Sequence, residues 1–136
     1  MKIMIQINKS FIADLLAKAE ASDRKRMNYD LRTSPADSSQ RMLNALMPET
    51  KVPIHRHPMS NENVLLLCGK LVEVIYDDNG IEIKRIHLEP SVGNFGCVVS
   101  AGAWHTVEVY EPSVIYEAKD GKYGEDGSEL FCHEDK

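Results

Sequence analysis

The chain has 136 residues, the length of one domain that would bury roughly two-thirds of its unfolded surface in a single core. Its formal net charge is −5, and no lysine or arginine run provides a surface for nucleic acid. No segment approaches the roughly 18 apolar residues of a membrane span, and the start, MKIMIQINKSF, is too brief for a secretion signal. We therefore expect neither a nucleic-acid partner nor a membrane partner.

The first strong pattern along the chain is helical. The stretch NKSFIADLLAKAEASDRKR, residues 8–26, repeats apolar side chains at helical spacing at Phe11, Leu15, Leu16 and Ala19. Asn8 and Ser10 are candidates for the residue that caps its first turn. A short helix therefore begins the fold. Beyond it the period changes to two, at Met27, Tyr29 and Leu31, before a loop at SPADSS.

Short β-rich runs separated by Pro, Gly, Asn or Asp make up most of the remaining chain. They are QRMLNALMP, KVPIHRHP, NVLLLCG, KLVEVIYDDNGIEIKRIHLEP, NFGCVVSAG, WHTVEVY and SVIYEAKD. Residues 77–80, DDNG, supply the positive φ that a tight hairpin turn requires. Seven or more closely spaced strands predict a sandwich or barrel. The polar final residues, 121–136, are expected to form a loose tail, although Leu130 and Phe131 could dock on the domain.

Two histidines one residue apart precede the apolar run VLLLC. Side chains two apart on a strand share a face, so His55 and His57 point the same way. If residues 58–61 form a four-residue hairpin loop, Glu62 lies directly opposite His57, about 5 Å away at Cβ. His105 begins a later strand and shares its inward face with Val107 and Val109.

Three imidazoles and a carboxylate that point into one apolar interior suit a divalent transition metal, and they would be costly to bury without partners. The alternative is that each is an ordinary hydrogen-bonded core or surface residue. We predict one ion, Fe, Mn, Ni, Co or Zn, at His55, His57, Glu62 and His105. His87 and His133 lack such neighbours, and we assign them to the strand surface and to the tail.

These residues resemble the motifs of the cupin superfamily. The first cupin motif, HxH, three or four residues, Glu, six residues and Gly, matches His55, His57, Glu62 and Gly69. In the second motif, Pro-x-Gly-x-x-His, Gly102 and His105 match, while Ser100 stands in place of the proline. Glu49 and Val109 replace a leading glycine and a trailing asparagine. The resemblance covers residues 49–109.

A narrower resemblance is to the small cupin-fold metalloproteins called WbuC, encoded in bacterial surface-polysaccharide (O-antigen) clusters. It rests on the stretches RMNYDLRTSPADSSQRMLNALMP, VPIHRH and AGAWHTVEVYEPSVIYEAKDGKY. It implies a mainly β fold, a double-stranded β-helix or jelly-roll barrel with a short N-terminal helix, and a metal held by the four matching residues. The corresponding division is one cupin domain, 1–136, with an extension at 1–25, a barrel at 26–119 and a tail at 120–136.

Other polar residues suggest a ligand. Arginine's planar fork suits oxyanions, so a carboxylate, phosphate or sugar nucleotide near the metal would suit Arg32, Arg41 or Lys119. Gln40 and Asn44 share one strand face and could also line such a site. The alternative is that these polar rows face water. By strand parity Trp104 points away from the metal, into packing, or else it lines the pocket mouth.

Three expectations complete the sequence prediction. The cysteines, Cys68, Cys97 and Cys132, include no CxxC pair, which favours packing thiols in the cytoplasm. Since VLLLC is apolar on both faces, the helix, the other sheet or a second subunit must cover its outer side, and we expect a homodimer. Two functions remain open, a metal-dependent isomerase, epimerase or oxygenase acting on a sugar-like small molecule, and a non-catalytic ligand-binding or regulatory module.

Overall fold

The computed structural model describes residues 4–121 and 127–132, which form one α-helix and eight β-strands. The helix α1 spans Lys9–Ala21, and the strands are β1 Arg26–Asp30, β2 Ser39–Leu46, β3 His55–Arg56, β4 Glu62–Tyr76, β5 Glu82–Leu88, β6 Gly96–Val99, β7 Trp104–Asp120 and β8 Glu129–Leu130. A 3-10 turn at Pro90–Val92 separates β5 from β6. Among the described helices, none is long and apolar enough to cross a membrane.

Two long antiparallel strands, β4 and β7, run through both halves of the structure. In one half the strand order is β1-β2-β7-β4-β6, and in the other it is β8-β3-β7-β4-β5. The sequence predicted breaks at Gly69 and near Pro112, yet each long strand is continuous. Where a break was predicted at Gly69, the β4–β7 pairing instead shifts its register between Leu66 and Leu71.

The hydrophobic core lies between the two halves. Its buried members come from both, and they are Leu46, Val64, Leu66, Leu71, Leu88, Val109 and Ile115. Because one cluster joins residues before and after the register shifts of β4, the two halves pack face to face. The described strands therefore form the predicted double-stranded β-helix.

The predicted helix is present and covers the outer face of one half. The Asn8 side chain accepts a hydrogen bond from the Phe11 amide at 2.9 Å, so it caps the first turn. Leu15 and Ala19, four residues apart on one helix face, are buried against a cluster that includes Leu43 and Val114. The predicted DDNG hairpin is also present, since Gly80 has a φ of +81° between β4 and β5.

The predicted pairing of the HxH strand is wrong. Strand β3 pairs with β7 and β8 and makes no ladder with β4. At the start of β4 both edges are already paired, with β6 from Glu62 and with β7 from Asn63, so residues 58–61 do not close a hairpin onto β4. Instead the loop packs on residues 100–103, where the Gly102 amide donates to the His57 carbonyl at 2.9 Å.

The segment 127–132, expected to be part of a loose tail, adds a strand to the sheet. His55 pairs with Leu130 and Arg56 with Glu129 in the β3–β8 ladder. The suggested docking of Phe131 is present too, because its ring lies edge-on to Trp104 with centroids 5.2 Å apart. Trp104 is thus a packing residue, 9% exposed, as strand parity predicted.

One carboxyl group lies inside the core. Glu73, in the middle of β4, is 2% exposed, and its Oε1 has no hydrogen-bond partner among the described residues. Burial, reinforced by the negative charge of Glu62 and opposed by His105, raises the pKa of Glu73 to about 8. The Glu73 side chain is therefore protonated at neutral pH.

Replacing Gly69 by alanine should destabilise the fold far more than the same change at Gly93. Both residues have positive φ, +99° and +89°, which costs an L side chain about 1–2 kcal/mol. A Cβ at Gly69 would also collide with the Ser113 hydroxyl and the Pro112 carbonyl, adding overpacking of about 1–3 kcal/mol, whereas Gly93 faces open space. Urea unfolding of both variants measures the difference. Equal losses of unfolding free energy would contradict the role assigned to the close contacts of Gly69 with Pro112 and Ser113.

Replacing Glu73 by glutamine should change how stability depends on pH. The folded pKa of about 8 lies above the ordinary 4.5, so the protonated carboxyl stabilises the fold fully below pH 4.5 and loses that contribution as pH rises to 8. In chelator-treated protein, the free energy of unfolding of the wild type should therefore fall relative to Glu73→Gln by about 1.4 kcal/mol per pH unit across that window. Parallel profiles would show that Glu73 is ionised in the folded state.

Candidate metal centre

Three histidine side chains meet at the edge of the interior where β3 and β7 pair. His55 lies directly opposite His105 in the ladder, and His57 follows the end of β3. Their ring centroids are 4.3 Å apart for His55 and His105, 5.1 Å for His55 and His57, and 5.5 Å for His57 and His105. Each ring offers one nitrogen within 4.8 Å of the others.

The Nδ1 atoms of all three rings are held by neighbouring oxygens. His55 Nδ1 lies 2.8 Å from the carbonyl of Pro53, and His105 Nδ1 lies 2.9 Å from the carbonyl of Ala103. A carbonyl can only accept, so in each neutral ring Nδ1 carries the proton and Nε2 has the free lone pair. His57 Nδ1 lies 2.7 Å from the Ser128 hydroxyl. Such partners orient the imidazoles in metal sites.

Glu62 adds a carboxylate to the same point. It is the first residue of β4, it is 4% exposed, and its oxygens lie 3.3 Å from His105 Nε2 and 3.7 Å from His57 Nε2. Two ligands bound at about 2.1 Å to one ion lie roughly 3 to 4.2 Å apart, so both distances fit a shared metal. His105 Nε2 is also buried without a hydrogen-bond partner among the described residues. The donor set is the one that transition metals prefer.

The electrostatics of the site favour the metal-binding form of His55 and Glu62. Burial, with the nearby charge of His105, lowers the pKa of His55 to about 4, so its ring is neutral at pH 7. Burial would raise the pKa of Glu62, but the neighbouring His105 ring and a hydrogen bond from Glu117 lower it, so the carboxyl is ionised. Burial opposes protonation of His105, but Glu62 outweighs it and raises the pKa. The negative charge of Glu62 that favours a proton on His105 would equally favour a metal cation bound between the two side chains.

Glu117 and Asn44 extend the site on the far side of Glu62. Burial and the charge of Glu62 raise the pKa of Glu117, so this carboxyl is protonated and donates to Glu62. Asn44 Nδ2 in turn donates to Glu117 Oε1 at 3.2 Å. Of the residues predicted to bind a ligand, Asn44 is therefore connected to the candidate metal ligands.

The two arginines predicted to bind a ligand form ion pairs in and beside the loop between β1 and β2. Arg32 pairs with Asp30 at 2.9 Å, and Arg41 pairs with Asp37 at 2.7 Å. Both ion pairs join residues within 30–41, and a ligand-binding role for either arginine stays a prediction.

Gln40 and Lys119 face each other across the β2–β7 ladder and are both buried. Lys119 Nζ donates to Gln40 Oε1 at 3.1 Å and to the Gly121 carbonyl at 2.9 Å. Lys119 also lines a groove of about 540 Å³ together with Ser60, Asn61 and Asn63. None of the three histidines lines this groove.

Two residues near the site were missed from the sequence. Glu73 was identifiable, because it is the single charge on the inward face of β4 between Leu71 and Ile75. Ser128 gave no signal, since it lies in a polar stretch whose return to β3 only the fold reveals. His87 is exposed on β5 as expected, and His133 lies outside the described residues.

Solved structures with a similar fold fall among the cupins. CapF of Staphylococcus aureus, a capsular polysaccharide assembling protein, aligns with a TM-score of 0.67 and 20% identity over 81% of this chain and 30% of its own. An oxalate oxidase in complex with glycolate gives 0.60 and 13%, over 81% and 57% of the two chains. An uncharacterised double-stranded β-helix protein of Klebsiella pneumoniae gives 0.64 and 15%, over 95% and 99%.

At these identities the likeness concerns the fold alone, and it confirms the expected cupin fold. The chain spans about a third of the length of CapF. No curated protein matches the sequence. Residues 7–88, more than half of the chain, match the family described as "Domain of unknown function (DUF6016)", and the chain belongs to that family.

Proposed function

We propose that this protein is a metal-dependent cupin that holds one Fe, Mn, Ni, Co or Zn ion through Nε2 of His55, His57 and His105 and through the Glu62 carboxylate. One observation carries the proposal, the convergence of three imidazoles whose Nδ1 atoms are held by neighbouring oxygens. A bound ion would supply Lewis-acid chemistry that polarises a carbonyl or hydroxyl group. The ligand class is a small polar molecule, a sugar or nucleotide sugar.

The reaction class we infer is isomerisation or epimerisation, or an oxygenase reaction if the ion is iron. Two carboxyl groups with raised pKa, Glu73 and Glu117, are available to hold a proton near the site. Glu117 donates to Glu62 and so keeps one oxygen of that carboxylate in place. Asn44 fixes Glu117 in turn.

The burial of the site favours a second candidate, a metal-containing binding or regulatory module without turnover. His57 and His105 are only 7% and 2% exposed, which restricts access to the ion. Azide added to Co²⁺-substituted protein discriminates the two functions by visible absorption. A change in the cobalt bands indicates an exchangeable position, as an enzyme needs, and an unchanged spectrum favours the module.

We infer a role in bacterial surface-polysaccharide (O-antigen) synthesis and membership of the WbuC-like cupins. The inference is supported by the sequence stretches around Arg26–Asp30, His55 and His105. The fold likeness to a capsular polysaccharide assembling protein is in keeping with it. We further propose one domain over residues 1–136, with its barrel at 26–119, and a cytoplasmic location. Cys68 and Cys97 form no disulfide with a described residue, which supports that location.

We also propose a homodimer through the outer face of β4 and β6. Leu65 and Leu67 of β4 remain 51% and 40% exposed, so the described residues leave this side of the VLLLC run uncovered. Val98, which is 57% exposed, lies beside them, because β6 pairs with β4 from Glu62 to Leu65. Adjacent exposed apolar side chains on two strands are typical of a self-association face.

Metal content should fall when a histidine of the proposed site is replaced, and it should not fall when a histidine elsewhere in the chain is replaced. Protein purified without a chelator or a metal-binding tag should contain about one equivalent of metal, and His57→Ala or His105→Ala should lose most of it, because each removes a ligand. His87→Ala, altered at an exposed position of β5, should retain it. Elemental analysis measures all four proteins. Equal metal content in the wild type and His57→Ala would contradict the assignment.

Leu65→Lys should convert the dimer into a monomer. A lysine at the centre of the proposed interface would bury an unpaired charge, which is unfavourable. Ile83→Lys is the control, since Ile83 is 63% exposed on β5, outside the proposed face. Light scattering at micromolar concentration gives the masses. A monomeric wild type would overturn the dimer, and so would a dimeric Leu65→Lys.

A further inference from the structure

The segment 127–132, which we call the C-terminal strap, lies along the strand that carries the metal-site histidines. Its strand β8 pairs with β3 so that Leu130 lies opposite His55 and Glu129 opposite Arg56. The amide of Phe131 donates to the Ile54 carbonyl at 2.9 Å. The strap is therefore bonded to β3 through the backbone on both sides of His55.

Side chains add to this attachment. Arg56 Nε donates to Glu129 Oε1 at 2.6 Å, and the Arg56 guanidinium carbon lies 4.3 Å from the Trp104 ring centroid. The Phe131 ring packs edge-on against the same indole at 5.2 Å, with an interplanar angle of 83°. On the other side of Phe131, a Cβ added at Gly80 would lie 2.9 Å from its ring, so the β4–β5 turn closes over it.

The strap reaches His57 directly. His55 and His105 are each oriented by the carbonyl two residues earlier in the chain, which the strand geometry supplies locally. His57 lies beyond the end of β3, and the equivalent position at its Nδ1 is taken by the Ser128 hydroxyl at 2.7 Å. A group some seventy positions away thus orients the His57 ring by a hydrogen bond at Nδ1, as a carbonyl two residues earlier orients each of the other two rings.

We propose that the C-terminal strap completes the metal centre, with Ser128 as a positioning residue that aims His57 Nε2 at the ion. This inference rests on the proposed metal function. Because docking of the strap orients a ligand, docking and metal binding are coupled, and by linkage the metal must strengthen docking as much as docking strengthens metal binding. The strap is then a closing element whose position reports whether the site is filled.

Ser128→Ala should weaken Co²⁺ or Zn²⁺ binding by about 10- to 100-fold, as loss of a group that orients a metal-ligating histidine does. Competition with a chromophoric chelator measures the affinity. Ser128→Thr keeps a hydroxyl and should restore it, and Ser91→Ala, which alters an exposed serine of the 3-10 turn, should leave it unchanged. The visible bands of the Co²⁺ form should change in Ser128→Ala and return to those of the wild type in Ser128→Thr, which a merely structural role would not cause.

The fluorescence of the single tryptophan measures docking of the C-terminal strap independently of metal affinity. Trp104 is the only Trp of the chain, and Phe131 covers it. Phe131→Ala should shift the emission of metal-free protein to longer wavelength and weaken Co²⁺ binding without altering any ligand. Adding Zn²⁺ to the wild type should shift the emission to shorter wavelength as the strap closes.

The outcomes separate this inference from the proposed function. A wild type that binds neither Co²⁺ nor Zn²⁺ overturns the metal function and the strap together. A wild type that binds metal, with Ser128→Ala and Phe131→Ala binding equally tightly, overturns the strap alone. Weaker binding in Ser128→Ala that Ser128→Thr does not restore also counts against the positioning role.

Discussion

The cross-strand pair of His55 and His105 is the constraint on which the rest of the site depends. Strand β3 has only two residues, and its register on β7 sets the two imidazoles opposite each other. The side-chain period of a strand is two, so a slip of β3 by one residue would turn His55 to the other face, away from His105. The register also lets each ring donate to the carbonyl two positions earlier, which leaves both Nε2 lone pairs directed inward. The His57 ring and the Glu62 carboxylate then lie against the position that the His55–His105 pair defines.

The same two long strands build the core and the site, so stability and function compete within them. Strand β4 carries Glu62 at its start and Glu73 in its middle, and both side chains are almost completely buried. A buried carboxyl oxygen without a hydrogen-bond partner, such as Glu73 Oε1, is unfavourable, since it loses its hydration without replacement. Proteins keep such groups mainly at functional sites. The apolar side chains between the two sheet halves, such as Val64 and Leu71, offset that cost.

Features set by local periodicity could be predicted from the sequence, and features set by the choice of strand partner could not. The helix, its Asn8 cap and the DDNG turn depend on neighbouring residues. So does the shared face of His55 and His57. The partner of β3 depends on which edges remain free once β6 and β7 occupy β4, and no stretch of sequence records that. The expected hairpin between His57 and Glu62 is absent, yet the two side chains lie 3.7 Å apart. They are brought together by separate strand pairings, of β3 with β7 and of β4 with β6 and β7.

The three imidazoles are unequally preorganised, and this inequality determines how the site can respond to its surroundings. Two of them are fixed by their own strands, whereas the third follows β3 and contacts a segment from the other end of the chain. The least ordered ligand of a metal site limits its affinity, because the free energy needed to order that side chain reduces the net free energy of metal binding. In the proposed metal centre, a change that loosens 127–132 would therefore act on affinity through His57 and leave the His55–His105 pair in register. In the proposed metal centre, affinity would accordingly be adjustable from residues 127–132 without a change to any of the four proposed ligands.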